Sequence, residues 1–126
     1  METKKNLRIM VIDDENIVGN RLKPALARSG DMVEAFVDPR EALKRFQEDP
    51  FDIVVTDIRM DEMDGIEVLE EVQKISEKTK VIIITGYATV EVAREALSKG
   101  AFDFIAKPFK PNDLRVIIER AAKQLQ

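Results

Sequence analysis

The chain has 126 residues, 44% of them apolar and 35% charged, with a formal net charge of −4. That is one domain by size, with enough apolar material for a real core, and it excludes a disordered or membrane-spanning chain. It has no cysteine and no histidine. Disulfides, thiolate metal sites, Ser-His-Asp chemistry and a phosphohistidine on this chain itself are therefore ruled out.

No apolar run reaches the ~18 residues a spanning helix needs, so no membrane partner is expected. The polar, lysine-bearing start (Met1 to Arg8) is not a signal peptide. With the missing cysteines this fits a cytoplasmic protein, and the acidic balance argues against direct nucleic-acid binding.

Leu7 to Ile12 is nearly all apolar, the pattern of a strand covered on both faces. It stops at Asp13-Asp14-Glu15. Val18, Leu22, Ala25 and Leu26 then repeat at helical spacing, interrupted by Pro24, which should bend the helix, and ended by Gly30. Met32 to Val37 reads as a second strand. Asp38-Pro39-Arg40-Glu41 opens the next helix as a capping box, with Ala42, Leu43 and Phe46 inward.

Phe51 to Thr56 is a third strand that runs into Asp57. After a polar loop from Arg59 to Met63, Asp64 and Glu67 cap a helix whose buried stripe is Ile66, Leu69, Val72 and Ile75. Val81 to Ile84, the most apolar run, reads as a central strand ending at Thr85-Gly86. Thr89 caps a fourth helix with a small inward face of Ala93, Ala96 and Leu97, closed by Gly100. Ala101 to Ala106 is the fifth strand, broken by Lys107-Pro108. Pro111 starts a last helix with Leu114, Ile117, Ile118, Ala121 and Leu125 on one side.

Strands alternating with helices predict a doubly wound parallel sheet with helices on both faces. The common five-stranded order, 2-1-3-4-5, places strands 1 and 3 side by side with a ligand crevice at their carboxyl ends. Asp13, Asp14 and Asp57 then converge, with Thr85 adjacent and Lys107 beyond. Carboxylates ~4 Å apart repel by ~4 kcal/mol per pair at an effective dielectric near 20. A hard divalent cation relieves this, and an all-oxygen site with few protein ligands suits Mg²⁺. Thr85 and Lys107 supply a hydroxyl and an ammonium for phosphoryl oxygens, so the site reads as phosphoryl transfer to a carboxylate.

Asp13-Asp14, Asp57, Thr85 and Lys107-Pro108, with Asp64-Gly65-Ile66-Glu67, Lys99 to Phe104 and Phe109, resemble the receiver domain of two-component response regulators. The resemblance runs from about Arg8 to Leu125 and makes the whole chain, 1–126, one flavodoxin-like (βα)5 receiver domain. It implies Asp57 as phosphoacceptor, not an enzyme of independent turnover. The donor would be a phosphohistidine on a sensor histidine kinase or histidine phosphotransfer protein. It implies Mg²⁺ on Asp13, Asp14, Asp57 and the Arg59 carbonyl, a switch through Thr85 and Phe104, and a cis Lys107–Pro108 peptide. The target would be an output domain or downstream protein, with homodimerisation on phosphorylation.

Three positions depart from the family pattern. Phe104 stands where tyrosine is usual, Asp61 where proline often follows Met60, and Arg59 sits at the pocket mouth. The run from Thr89 to Phe109 is similar to receivers that precede ATPase-type transcriptional activators. The alternatives are a receiver-like interaction module that is not phosphorylated, a small phosphatase of the haloacid dehalogenase type and a flavodoxin-like electron carrier. The phosphatase needs its nucleophile after strand 1 in a run containing threonine. The carrier needs a hydroxyl-rich phosphate loop there, where this chain has acids.

Overall fold

A computed structural model of the chain describes residues 6–27, 30–60, 63–86 and 90–125. Five parallel strands, β1 (Arg8–Ile12), β2 (Met32–Phe36), β3 (Ile53–Asp57), β4 (Lys80–Thr85) and β5 (Asp103–Ala106), form one sheet in the order β2-β1-β3-β4-β5. Five helices alternate with them: α1 (Asn16–Ala27), α2 (Pro39–Glu48), α3 (Gly65–Ile75), α4 (Val90–Ser98) and α5 (Pro111–Lys123). This is the doubly wound flavodoxin-like sandwich.

The apolar runs have a direct cause. Within β1, Met10 and Ile12 point into a core shared with α2, α3 and α4, while Ile9 and Val11 point into a second core shared with α1 and α5. β3 and β4 divide the same way, Val54 and Ile83 facing the first core, Ile53, Val55, Ile82 and Ile84 the second. Strands buried on both faces have no polar side to show. Edge strands differ: Met32 in β2 is 56% exposed.

The helix punctuation mostly follows its chemistry. Asp64 and Glu67 form the reciprocal cap of α3, Glu67 N donating to Asp64 Oδ1 at 2.8 Å and Asp64 N to Glu67 Oε1 at 3.4 Å. At α2 the expected box is only a single cap: Asp38 Oδ1 accepts from Arg40 N at 2.9 Å. With Asp38 Oδ1 satisfied one residue earlier, at the second helical position, Glu41 has no reciprocal role. Pro24 does not break α1, which continues through it to Ala27 with Pro24 on the exposed side.

Two expectations about the C-terminal half need correction. Leu97 is not inward but 45% exposed, and the buried face of α4 is Ala96 with Val92 packed against the first core. α4 turns 100° per residue; with Ala96 centred on the sheet, Leu97 is carried to the rim. β5 starts at Asp103 rather than Ala101 because the helix exit occupies the intervening residues. Gly100 adopts φ +105°, and Ala101 N still donates to Ala96 O at 3.0 Å. Thr89 and Asp61 lie outside the described residues.

Candidate functional site

The carboxyl ends of β1 and β3 lie side by side, Ile12 opposite Thr56. The next residues along are Asp13 and Asp57, both buried; Asp14, one further, is exposed. Oxygens of all three carboxylates lie within 4.8 Å of one another. β4 extends the edge: Asp57 pairs with Ile84, so Thr85 is one step further, fully buried at the strand end. Lys107, beyond β5, is tied in through its backbone, Lys107 N donating to Thr85 O at 2.8 Å.

Lys107 is the cation of the site. Its Nζ lies 2.9 Å from Asp57 Oδ2, 2.9 Å from Asp13 Oδ2 and 3.1 Å from Glu15 Oε1. Burial disfavours its charged form, but the hydrogen bonds it donates to Asp57, Asp13 and Glu15 overcome that and push its pKa above the usual lysine value. Asp13 moves the other way for a carboxylate. Burial is the main cause of its raised pKa, and the nearby Asp57 charge adds to it, against the lowering effect of Lys107 and the Glu15 amide. One ammonium thus faces three acids of which two are buried, and the excess negative charge is concentrated at Asp13 and Asp57.

Backbone groups hold the acids in place. Glu15 N donates to Asp13 Oδ1 at 2.8 Å and Arg59 N to Asp57 Oδ1 at 3.3 Å. Asp13 Oδ2 is buried and accepts no aligned hydrogen bond among the described residues beyond its ion pair with Lys107. A hard-oxygen donor set short of positive charge, with one buried oxygen under-coordinated, fits a divalent cation. The Lys107–Pro108 peptide is cis. Phe104 lies in β5 opposite Ile83, half-buried against the first core.

The site contains two residues that sequence reasoning missed. Glu15 was read as one more acid ending strand 1, yet it is a partner of Lys107. Gly65, in the sequence only part of the Asp64-Gly65-Ile66-Glu67 motif, is the second. It is packed under the segment leaving β3: a Cβ there would stand 2.4 Å from the Asp57 carbonyl oxygen and 2.8 Å from Ile58 Cα.

A metal-binding role makes a direct prediction. At 100 times its Kd a ligand specific for the folded state stabilises it by about 2.7 kcal/mol. For a domain of this size that is a rise in melting temperature of roughly 10 °C. Mg²⁺ is expected to produce such a rise in the wild type at saturation and a much smaller one in Asp14→Ala; equal rises place the ion elsewhere.

The sequence profile of the response regulator receiver domain matches residues 9–119. Regulatory protein AtoC of Escherichia coli (strain K12) is 44% identical over 119 residues, which cover 94% of this chain and 26% of AtoC. Transcriptional regulatory protein ZraR of the same organism is 38% identical over 119 residues, 94% of this chain and 27% of ZraR. The chain therefore spans about a quarter of the length of these curated relatives.

Among solved structures, the beryllofluoride-activated NtrC4 receiver domain dimer superposes with a TM-score of 0.89 at 31% identity, covering 94% of this chain and 98% of that one. The receiver domain protein from Clostridium thermocellum gives a TM-score of 0.87 at 33% identity, covering 94% and 95%. With the receiver-domain profile covering residues 9–119 and a relative 44% identical over 119 residues, the chain belongs to the response regulator receiver domain family of two-component signalling.

Proposed function

We propose that the chain is a phosphorylation-controlled switch whose phosphoacceptor is Asp57. The observation that carries this reading is the placement of Lys107 Nζ 2.9 Å from Asp57 Oδ2, at the buried end of β3 and within reach of two further acids. A carboxylate oxygen of Asp57 attacks the phosphorus of a donor phosphohistidine. The P–N bond breaks, and the imidazole leaves with the electron pair and takes up a proton. These 126 residues contain no histidine, and the donor phosphohistidine is that of a sensor kinase or a phosphotransfer protein.

Asp13, Asp14, Asp57 and the Arg59 carbonyl would hold Mg²⁺, which when bound supplies positive charge against the pooled carboxylates and the phosphoryl oxygens. Lys107 pairs with the phosphoryl group, and the Thr85 hydroxyl donates to it. The role is regulatory: one transfer changes a shape. In keeping with the family's transcriptional regulators, the output is control of transcription through a further domain or partner, with a receiver dimer as the active form. The domain spans 1–126 as a single unit and works in the cytoplasm.

The shape change runs through the face formed by α4, β5 and α5. Ala96 is the only fully buried side chain of α4 among its described residues, and Val90 is 63% exposed. A helix held so lightly shifts at small cost. Phosphorylation adds a charge of about −1.5 to −2, which draws Thr85 and Lys107 toward it. Phe104 follows by repacking alone, because it has no hydroxyl. Inverting a mostly-off population takes ~5.5 kcal/mol of differential interaction, within the scale of several charge-assisted hydrogen bonds.

Two measurements test the reading. Intact-mass spectrometry after incubation with acetyl phosphate should show one phosphoryl group in Mg²⁺ and none in EDTA. Beryllofluoride with Mg²⁺ should shift amide resonances at Thr85 and across residues 90–106. Shifts confined to the pocket would sink the α4–β5 route.

A further inference from the structure

Lys107 makes a contact that the phosphoacceptor reading leaves unused. Glu15 Oε1 lies 3.1 Å from Lys107 Nζ, although Glu15 itself is 63% exposed at its side chain. An ion pair that open is ordinarily a weak surface contact. Here it is tied to the site at both ends. Glu15 N donates to Asp13 Oδ1 at 2.8 Å, and Glu15 O accepts from Val18 N at 3.0 Å in the lead-in to α1. The backbone of Glu15 is therefore fixed by one of the buried acids, and its side chain reaches across the mouth to the lysine.

An ammonium has three N–H groups. In this state three carboxylate oxygens, from Asp13, Asp57 and Glu15, surround Lys107 Nζ. Asp13 and Asp57 are buried, whereas Glu15 stands on the solvent side. A phosphoryl group arriving on Asp57 needs a donor from the same ammonium. The partner that can yield is Glu15.

We propose that Glu15 is a positioning residue that holds Lys107 over the pocket in the unphosphorylated state and gives up its hydrogen bond to a phosphoryl oxygen when phosphate arrives. The proposal rests on Asp57 being the phosphoacceptor. Glu15 thereby competes with the phosphoryl group for the lysine. It keeps the ammonium aligned and makes its recruitment by phosphate an exchange of one anionic partner for another.

The test is the dissociation constant of beryllofluoride, read by ¹⁹F NMR at saturating Mg²⁺, in four proteins: wild type, E15Q, K107Q and the double variant. With its competitor neutralised, E15Q is expected to bind about two- to fivefold more tightly than wild type, the range of an exposed ion pair. That gain should vanish in the K107Q background, because it acts through the lysine.

The same gain with and without Lys107 makes Glu15 a mere background charge and overturns the proposal. So does unchanged or weaker binding by E15Q. Failure of the wild type itself to bind beryllofluoride overturns the phosphoacceptor reading and this proposal together. Wild-type binding with no lysine-dependent gain overturns this proposal alone.

Discussion

Asp57→Asn is expected to take up no phosphoryl group from acetyl phosphate or from a kinase, while keeping the fold. The amide cannot act as an anionic nucleophile. Intact-mass spectrometry reads the loss, and circular dichroism the retained fold. Labelling equal to wild type would move the acceptor to another carboxylate.

The variant also has a signature that needs no phosphate. Asp13 has a raised pKa in the folded state, first from burial and then from the Asp57 charge. A carboxyl whose folded pKa lies above its unfolded value binds more protons in the folded state. Its contribution is thus a penalty that grows as pH rises through that interval and is absent below it. Asp57→Asn removes the Asp57 cause but not the burial. The metal-free variant should therefore gain stability relative to wild type as pH climbs from the ordinary carboxylate range toward neutrality. Denaturant titrations at several pH values read this difference, and a constant offset would mean that the two acids do not interact.

That pair of acids was legible in the sequence for a topological reason. Apolar runs covered on both faces announce a parallel sheet, all parallel strands end on one edge, and an acid after β1 and an acid after β3 must then meet. No rotamer is needed for that argument. It fails where the answer depends on one. Glu15 follows the acid pair directly, but nothing in its neighbours says that its side chain reaches a lysine 92 positions away. Leu97 fits a helical repeat as well as Val92 does, and only the angle at which α4 settles on the sheet decides which is covered. The short β5 escaped for a related reason. Ala101 and Phe102 are apolar enough for a strand, and the turn set by Gly100 takes them instead.

Gly65 marks the same limit, and it gives the largest stability effect expected of a single methyl group. An Asp-Gly pair ahead of a helix is normally a turn and a cap, and here the cap is present. The glycine is required for another reason. Gly65 N donates to Ile58 O at 2.8 Å, which draws the first turn of α3 against the segment leaving β3. A Cβ would meet the Asp57 carbonyl oxygen at 2.4 Å and the Asp57 carbonyl carbon at 3.1 Å, both backbone atoms that no side-chain rotation can clear.

Gly65→Ala must therefore push α3 away from β3 or displace the backbone of Asp57. Overpacking of this kind costs about 2–3 kcal/mol, a large fraction of the stability of a small domain. The displaced atoms belong to the acceptor residue, so phosphoryl uptake should slow as well. Gly86→Ala is the control: among the described residues a Cβ at Gly86 would meet no atom within 4 Å apart from its chain neighbours, and its stability should stay within about 0.5 kcal/mol of wild type. Urea unfolding midpoints compare the two. A Gly65→Ala protein as stable as Gly86→Ala would mean that the β3–α3 junction yields freely, and that the position of Asp57 is set by Lys107 and the acids rather than by the packing beneath it.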